Sequence, residues 1–174
     1  MRLLGISGSL REGSFNTQLV KAAAEALAPD AFTLADLRLP LYDGDLEAQG
    51  MPEGVTRLVD EIRAADAIVI STPEYNAGLS GVLKNALDWI SRVPPMAFAG
   101  KPTAILSAAA GRAGGARAQM TLRHCLVAFR PVLLQGPEVM IPNAQGAFEG
   151  GALVDPMARK LLGEQMAALR ALVG

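Results

Sequence analysis

Along the chain, short runs of consecutive apolar residues alternate with longer stretches in which apolar positions recur every three or four residues. Residues 3–7, 32–37, 67–71, 103–107 and 132–135 read as strands, the last with an extension at 139–141. Between and after them, residues 16–27, 55–65, 81–90, 115–129 and 156–172 read as amphipathic helices. Two segments break the rhythm, 38–54 and 136–155, both rich in Pro and Gly. Irregular stretches of that length in a compact fold are usually functional or mobile.

Strict strand–helix alternation predicts parallel strands with helices on both faces of one sheet. Five strands and five helices in this order match a flavodoxin-like, doubly wound α/β fold with strand order 2-1-3-4-5. Ligands of such sheets lie beyond the carboxyl ends of the strands, at the switch point between strands one and three. The loops that follow Ser7, Ser71 and Ser107 are therefore where chemistry is expected.

Composition narrows the classes. At 174 residues and about half apolar, the chain fits one domain, 1–174, with no repeat or linker to divide it. A net charge of −1 with scattered basic residues argues against a nucleic-acid partner. The lone Cys125 has no second thiol for a disulfide or a metal pair, which suits the reducing cytoplasm. No run is long enough for a membrane helix, and the chain starts straight into a strand, so a soluble, unprocessed protein is expected.

The first loop carries Gly8, Ser9, Leu10, Arg11, Glu12, Gly13, Ser14, Phe15, Asn16 and Thr17 before a helix. N–H groups at a helix N-terminus, ringed by hydroxyl and amide side chains, form a phosphate cradle, and Arg11 adds a charge. Neither a Walker sequence nor a Gly-x-Gly-x-x-Gly dinucleotide signature is present, which favours a terminal monophosphate. Ser14 or Asn16 could instead serve only as an N-cap.

The second loop, Thr72-Pro73-Glu74-Tyr75-Asn76, is stiffened by Pro73 into a wall for a planar ring, with N–H groups of Glu74, Tyr75 and Asn76 available to ring heteroatoms. Trp89, at the end of the following helix, reads as core or as a subunit contact. The third loop, from Ser107 through Ala108, Gly111, Gly114 and Gly115, has glycines that permit close backbone approach to a ligand before another helix N-terminus. Arg112 and Arg117 in it read either as ligand-facing or as solvated charges. His124 and Cys125 read as structural.

These residues resemble the NAD(P)H-dependent FMN reductases, particularly their quinone and chromate reductase branch. The likeness rests on Gly8-Ser9-Leu10-Arg11 through Ser14-Phe15-Asn16, on Thr72-Pro73-Glu74-Tyr75-Asn76 with Leu83-Lys84-Asn85-Ala86 and Asp88-Trp89, and on Gly114-Gly115-Ala116-Arg117 with Gln119 and Leu122-Arg123. It implies that Ser9, Arg11, Ser14, Phe15, Asn16, Thr17 and Gln18 surround the phosphate and ribityl chain of FMN. It further implies that Pro73, Glu74, Tyr75 and Asn76 contact the isoalloxazine, whose pyrimidine end is closed by Ser107, Ala108 and Gly111. Ala108 and Ala109 stand where relatives often carry hydroxyl residues, leaving only backbone donors there.

The resemblance also implies hydride transfer from NADPH or NADH through FMN N5 to a quinone in a ping-pong order, with chromate, azo, nitro or ferric compounds as further acceptors. It calls for no metal and no catalytic side chain of the protein. A homodimer or homotetramer is implied, with the helices after the second and third loops at its interfaces. Arg11, Lys84 and Arg112 are candidate partners for the 2′-phosphate of NADPH. A flavodoxin-type electron carrier is the rival reading, against which the near-neutral charge weighs.

Overall fold

The computed structural model describes all residues from Met1 to Gly174. Its elements run β1 (Arg2–Ser7), α1 (Phe15–Leu27), β2 (Ala31–Leu34), α2 (Gly44–Gln49), α3 (Glu53–Ala64), β3 (Ala67–Ser71), α4 (Gly81–Ile90) and β4 (Pro102–Ala108). They continue with α5 (Ala116–Leu126), β5 (Val132–Leu133), β6 (Val139–Ile141), α6 (Ala144–Ala147), β7 (Phe148–Glu149), β8 (Ala152–Leu153) and α7 (Pro156–Val173). The main sheet is parallel in the order β2-β1-β3-β4-β5, the flavodoxin-like arrangement expected from the alternation.

Side chains alternate across the sheet and build two cores, as a sheet covered on both faces requires. Leu3, Ala67, Val69, Ala104 and Leu106 pack on one face with Leu19, Val20, Leu162 and Met166 of α1 and α7. Leu4, Ile6, Ile68, Ile70 and Ile105 pack on the other with Leu58, Ile62, Leu83, Leu87 and Leu122 of α3, α4 and α5. Each fully buried aliphatic side chain contributes about 1.5–3 kcal/mol. At Gly5 a Cβ would lie 2.3 Å from Val20 Cγ1, so α1 sits directly on β1.

Three expectations change. The second strand ends at Leu34 rather than Leu37, because the chain leaves the edge once Ala35 N–H has bonded Gly5 O, and residues 36–38 turn toward the first loop. The fifth strand is broken: β5 pairs Pro102 and Thr103, whereas β6 pairs Leu106 to Ala108 further along β4. Pro137 between them has no N–H to continue a ladder. Two buried glutamines take up freed carbonyls, with Gln119 Nε2 bonding Val139 O at 2.8 Å and Gln165 Nε2 bonding Pro137 O at 2.8 Å. Finally, the segment 38–54 is a fastened strap containing α2. Trp89 Nε1 and Asn85 Nδ2 both donate to Pro40 O, at 2.8 and 2.9 Å, and Tyr42 N–H donates to Asn85 Oδ1 at 2.8 Å. Trp89 is thus a buried core residue that holds the strap, with Tyr42 edge-on to its ring.

Candidate active site

The ends of β1, β3 and β4 bring the three loops together, and two side chains set their spacing. Ser80, the N-cap of α4, donates from Oγ to Gly8 O at 2.5 Å and so joins the second loop to the first. Asn16 joins the first to both others. Its Oδ1 accepts from Ser71 Oγ at 2.8 Å and from Ala108 N–H at 3.0 Å, while Nδ2 donates to Ala108 O at 2.9 Å. Buried and bonded through both amide atoms, Asn16 is a structural tie among strand ends. Ser14 is likewise buried as the N-cap of α1, accepting from Asn16 N–H at 3.2 Å.

The rest of the first loop stays open. An accessible cavity of about 540 Å³ is lined by Ser7, Ser9, Arg11, Gly13 and Thr17 and walled on its far side by Leu34 to Arg38. The N–H groups of Ser9, Leu10, Glu12, Gly13, Phe15 and Thr17 make no backbone hydrogen bond. Ser7 and Thr17 hydroxyls face each other at 2.8 Å. The Arg11 guanidinium donates to Gly13 O at 3.3 Å and lies 5.5 Å over the Phe15 ring, which stacks on Phe148. Gln18 Nε2 also donates to Gly13 O, at 3.1 Å, so its amide shapes the turn. No acidic residue stands in the first turn of α1, leaving the positive end of its dipole unanswered.

In the second loop Tyr75 and Gly78 exchange N–H···O bonds of 3.1 and 3.0 Å around Asn76 and Ala77, both at positive φ, which makes a two-residue hairpin. The Tyr75 N–H is therefore occupied, contrary to expectation, while those of Glu74 and Asn76 remain free of backbone partners. Pro73 is buried against Gly8 and Tyr75 is 55% exposed, so the hairpin offers its aromatic side chain to an approaching ligand.

The third loop departs most from expectation. Its backbone donors nearest the strand are engaged, Ala108 N–H by Asn16 and Ala109 N–H by Ile141 O at 3.0 Å. Ser107 is fully buried, donating to Gly114 O at 2.6 Å and accepting from Gln119 Nε2 at 2.9 Å. Gly114 and Gly115 serve internal packing, because a Cβ would meet Met140 C at 2.9 Å in one case and Ser107 Cβ at 2.6 Å in the other. Gly111 alone of the three assigned positions in this loop faces open space.

Arg117 is no free solvated charge. Its Nε donates to Glu74 Oε1 at 2.7 Å, its backbone N–H donates to Glu74 Oε2 at 3.2 Å, and its Nη2 forms an ion pair with the same carboxylate. The Glu74 side chain is 9% exposed, and its pKa is held below the ordinary 4.5 chiefly by the Arg117 side-chain hydrogen bond, with burial opposing. Lys84 is also paired, bonding Asp88 at 2.6 Å, which leaves Arg11 and Arg112 of the three candidate coenzyme cations without a carboxylate partner. His124 is exposed on α5, and Cys125 is half-buried.

The residues overlooked in the sequence are the wall Leu34 to Arg38 and the ties Ser80 and Gln119. Strand order carried a signal for the wall, since β2 beside β1 puts the two carboxyl ends together. The ties depend on contacts that no local pattern announces.

Residues 1–146 match the family model described as NADPH-dependent FMN reductase. An NAD(P)H-dependent FMN reductase of Pseudomonas aeruginosa is 50% identical over 173 residues, covering 98% of this chain and 94% of its own. A quinone reductase of Escherichia coli is 42% identical over 146 residues, 80% of this chain and 77% of its own. Among solved structures, the flavoenzyme NAD(P)H:(acceptor) oxidoreductase FerB from Paracoccus denitrificans superposes with a TM-score of 0.88 at 33% identity, covering 99% of this chain and 96% of that one.

Proposed function

Since the chain belongs to the NADPH-dependent FMN reductase family, we propose that it binds FMN across the three strand-end loops and reduces quinones at the expense of NAD(P)H. The observation that carries this reading is the first loop. There a helix whose first turn carries no acidic residue meets the N–H groups of Ser9, Leu10, Glu12, Gly13 and Thr17, all free of backbone partners, with the Thr17 hydroxyl and Arg11 around one cavity whose lining also includes Glu12 and Asp36. That donor set suits a dianionic monophosphate.

FMN, when bound, supplies the chemistry of accepting and returning a hydride. The protein binds and orients. Loop one holds the phosphate, the buried Pro73 and the free N–H groups of Glu74 and Asn76 meet the ring, and Tyr75 borders it. With one face of the ring held by the second loop, coenzyme and acceptor use the other face in turn, which is a ping-pong order. Quinones are the principal acceptors, with chromate, azo, nitro and ferric compounds as others. A homodimer or homotetramer completes the site. Exposed Met120 on α5, Val127 just beyond its end and exposed Tyr75 support a subunit contact there.

Steady-state NAD(P)H oxidation with a quinone tests the reading. Parallel double-reciprocal lines at several quinone concentrations are expected. Intersecting lines would contradict the order, and flavin reduction without turnover would leave an electron carrier instead. Sedimentation of the holoprotein tests the assembly, a monomer being the contrary result.

A further inference from the structure

Helix α5 begins at Gly115, which has no side chain to cap it, and its first turn carries no acidic residue of its own. The cap comes from 43 positions away in sequence. Glu74 of the second loop accepts from the Arg117 backbone N–H and from the Arg117 side chain, and the Ala118 N–H also bears on its carboxylate. One carboxylate therefore caps the N-terminus of α5 and fixes the residue immediately before the Tyr75 hairpin. Two loops on the ligand side of the sheet meet at this point, and no other carboxylate reaches α5.

We propose that Glu74 is a positioning residue for the flavin: by capping α5 and pairing with Arg117 it holds the second loop and the glycine-rich third loop at one spacing. The inference rests on the flavin reading above. Its basis is geometric. Tyr75 N–H is closed within its hairpin, Ser107 is bonded to Gly114 O, and Ala108 and Ala109 are tied to Asn16 and Ile141, so each loop is anchored at its strand end, and the Glu74–Arg117 contact joins the two. Charge-assisted, multiply hydrogen-bonded pairs of this kind specify geometry as well as adding stability. Losing it frees one loop relative to the other without unfolding either.

The test compares Glu74→Ala and Glu74→Gln with Asp155→Ala. Asp155 caps α7, accepting from Ala158 N–H at 2.7 Å, on a helix outside the three loops, so its replacement is a matched loss of a helix cap. Amide hydrogen exchange on flavin-free protein and FMN affinity by fluorescence titration are read for each. Glu74→Ala is expected to speed exchange in residues 73–78 and 110–118 together and to weaken FMN binding about tenfold or more. Glu74→Gln, which keeps an acceptor for the N–H groups, falls between it and the unaltered protein. Asp155→Ala lowers thermal stability comparably but leaves loop exchange and FMN affinity unchanged. Faster exchange in residues 73–78 alone, or FMN affinity in Glu74→Ala within twofold of the unaltered protein, would overturn the proposal. Failure of the unaltered protein to take up FMN would overturn the flavin reading instead, while the exchange data would still decide whether Glu74 joins the loops.

Discussion

The first and third loops each run from a strand end carrying a serine through glycines into a helix, yet their helix N-termini are treated in opposite ways. The third loop is closed where it leaves its strand and where it enters its helix: Ser107, Gln119, Ala108 and Ala109 bond one another or neighbouring elements and the helix is capped by Glu74, while the N–H groups of residues 110–113 and of Gly115 make no backbone hydrogen bond. The first loop leaves the N–H groups of Ser9, Leu10, Glu12, Gly13 and Thr17 without backbone partners around a cavity, and its helix begins with no carboxylate bonded to its N-terminus. The two helix N-termini thus differ in whether the protein itself supplies a bonded carboxylate. An N-terminus already answered by a carboxylate is structural, and one left unanswered is the place for an anionic ligand.

The sharpest way to separate the loops is at their glycines. Gly115→Ala puts a Cβ 2.6 Å from Ser107 Cβ at φ +93° and should destabilise by about 4 kcal/mol, a fall of roughly 8–16 °C in thermal midpoint. Gly13→Ala, also at positive φ but with nothing within 4 Å, should lose only about 1 kcal/mol. Equal losses would erase the distinction between a packed and an open loop.

Next in size is Asn16→Ala, which strands the Ser71 hydroxyl and both backbone groups of Ala108 in the interior and should lower stability by about 3 kcal/mol. Arg11→Ala is its counterpart on the open side. It should leave thermal stability within about 0.5 kcal/mol and weaken FMN binding about tenfold. If Asn16→Ala were as stable as the unaltered protein, the tie among strand ends would be wrong.

The smallest effect is in pH. Glu74 has a depressed pKa in the folded state, so its contribution is complete above its unfolded value and fades as pH falls through about 4.5 and below. The difference in thermal midpoint between the unaltered protein and Glu74→Gln should shrink over that range. A constant gap down to about pH 3 would show that the ionised carboxylate adds nothing.

This contrast also explains how far the sequence could be read. Consecutive apolar runs such as Ala67–Ser71 are buried on both faces, and that alone reveals a central parallel strand; alternation with helices then dictates the order of the sheet. The three strand-end loops follow from that order. What each loop does with its donors does not, because the deciding partners are distant in the chain: Asn16 reaches Ala108 across 92 positions and Glu74 reaches Arg117 across 43. A Gly-rich turn reads the same whether its glycines make room for a ligand, as Gly111 can, or for Met140 and Ser107, as Gly114 and Gly115 do. The break between β5 and β6 was visible as Gly136-Pro137, but its repair by Gln119 and Gln165 was not.

The claim that the unanswered N-terminus of α1 is a phosphate cradle is tested most directly by titrating the flavin-free protein with FMN and with riboflavin, which differ only in the phosphate. The account predicts saturable uptake of one FMN per chain, at least about 100-fold tighter than riboflavin, with inorganic phosphate competing. Riboflavin bound as tightly as FMN, or no uptake of either, would contradict it.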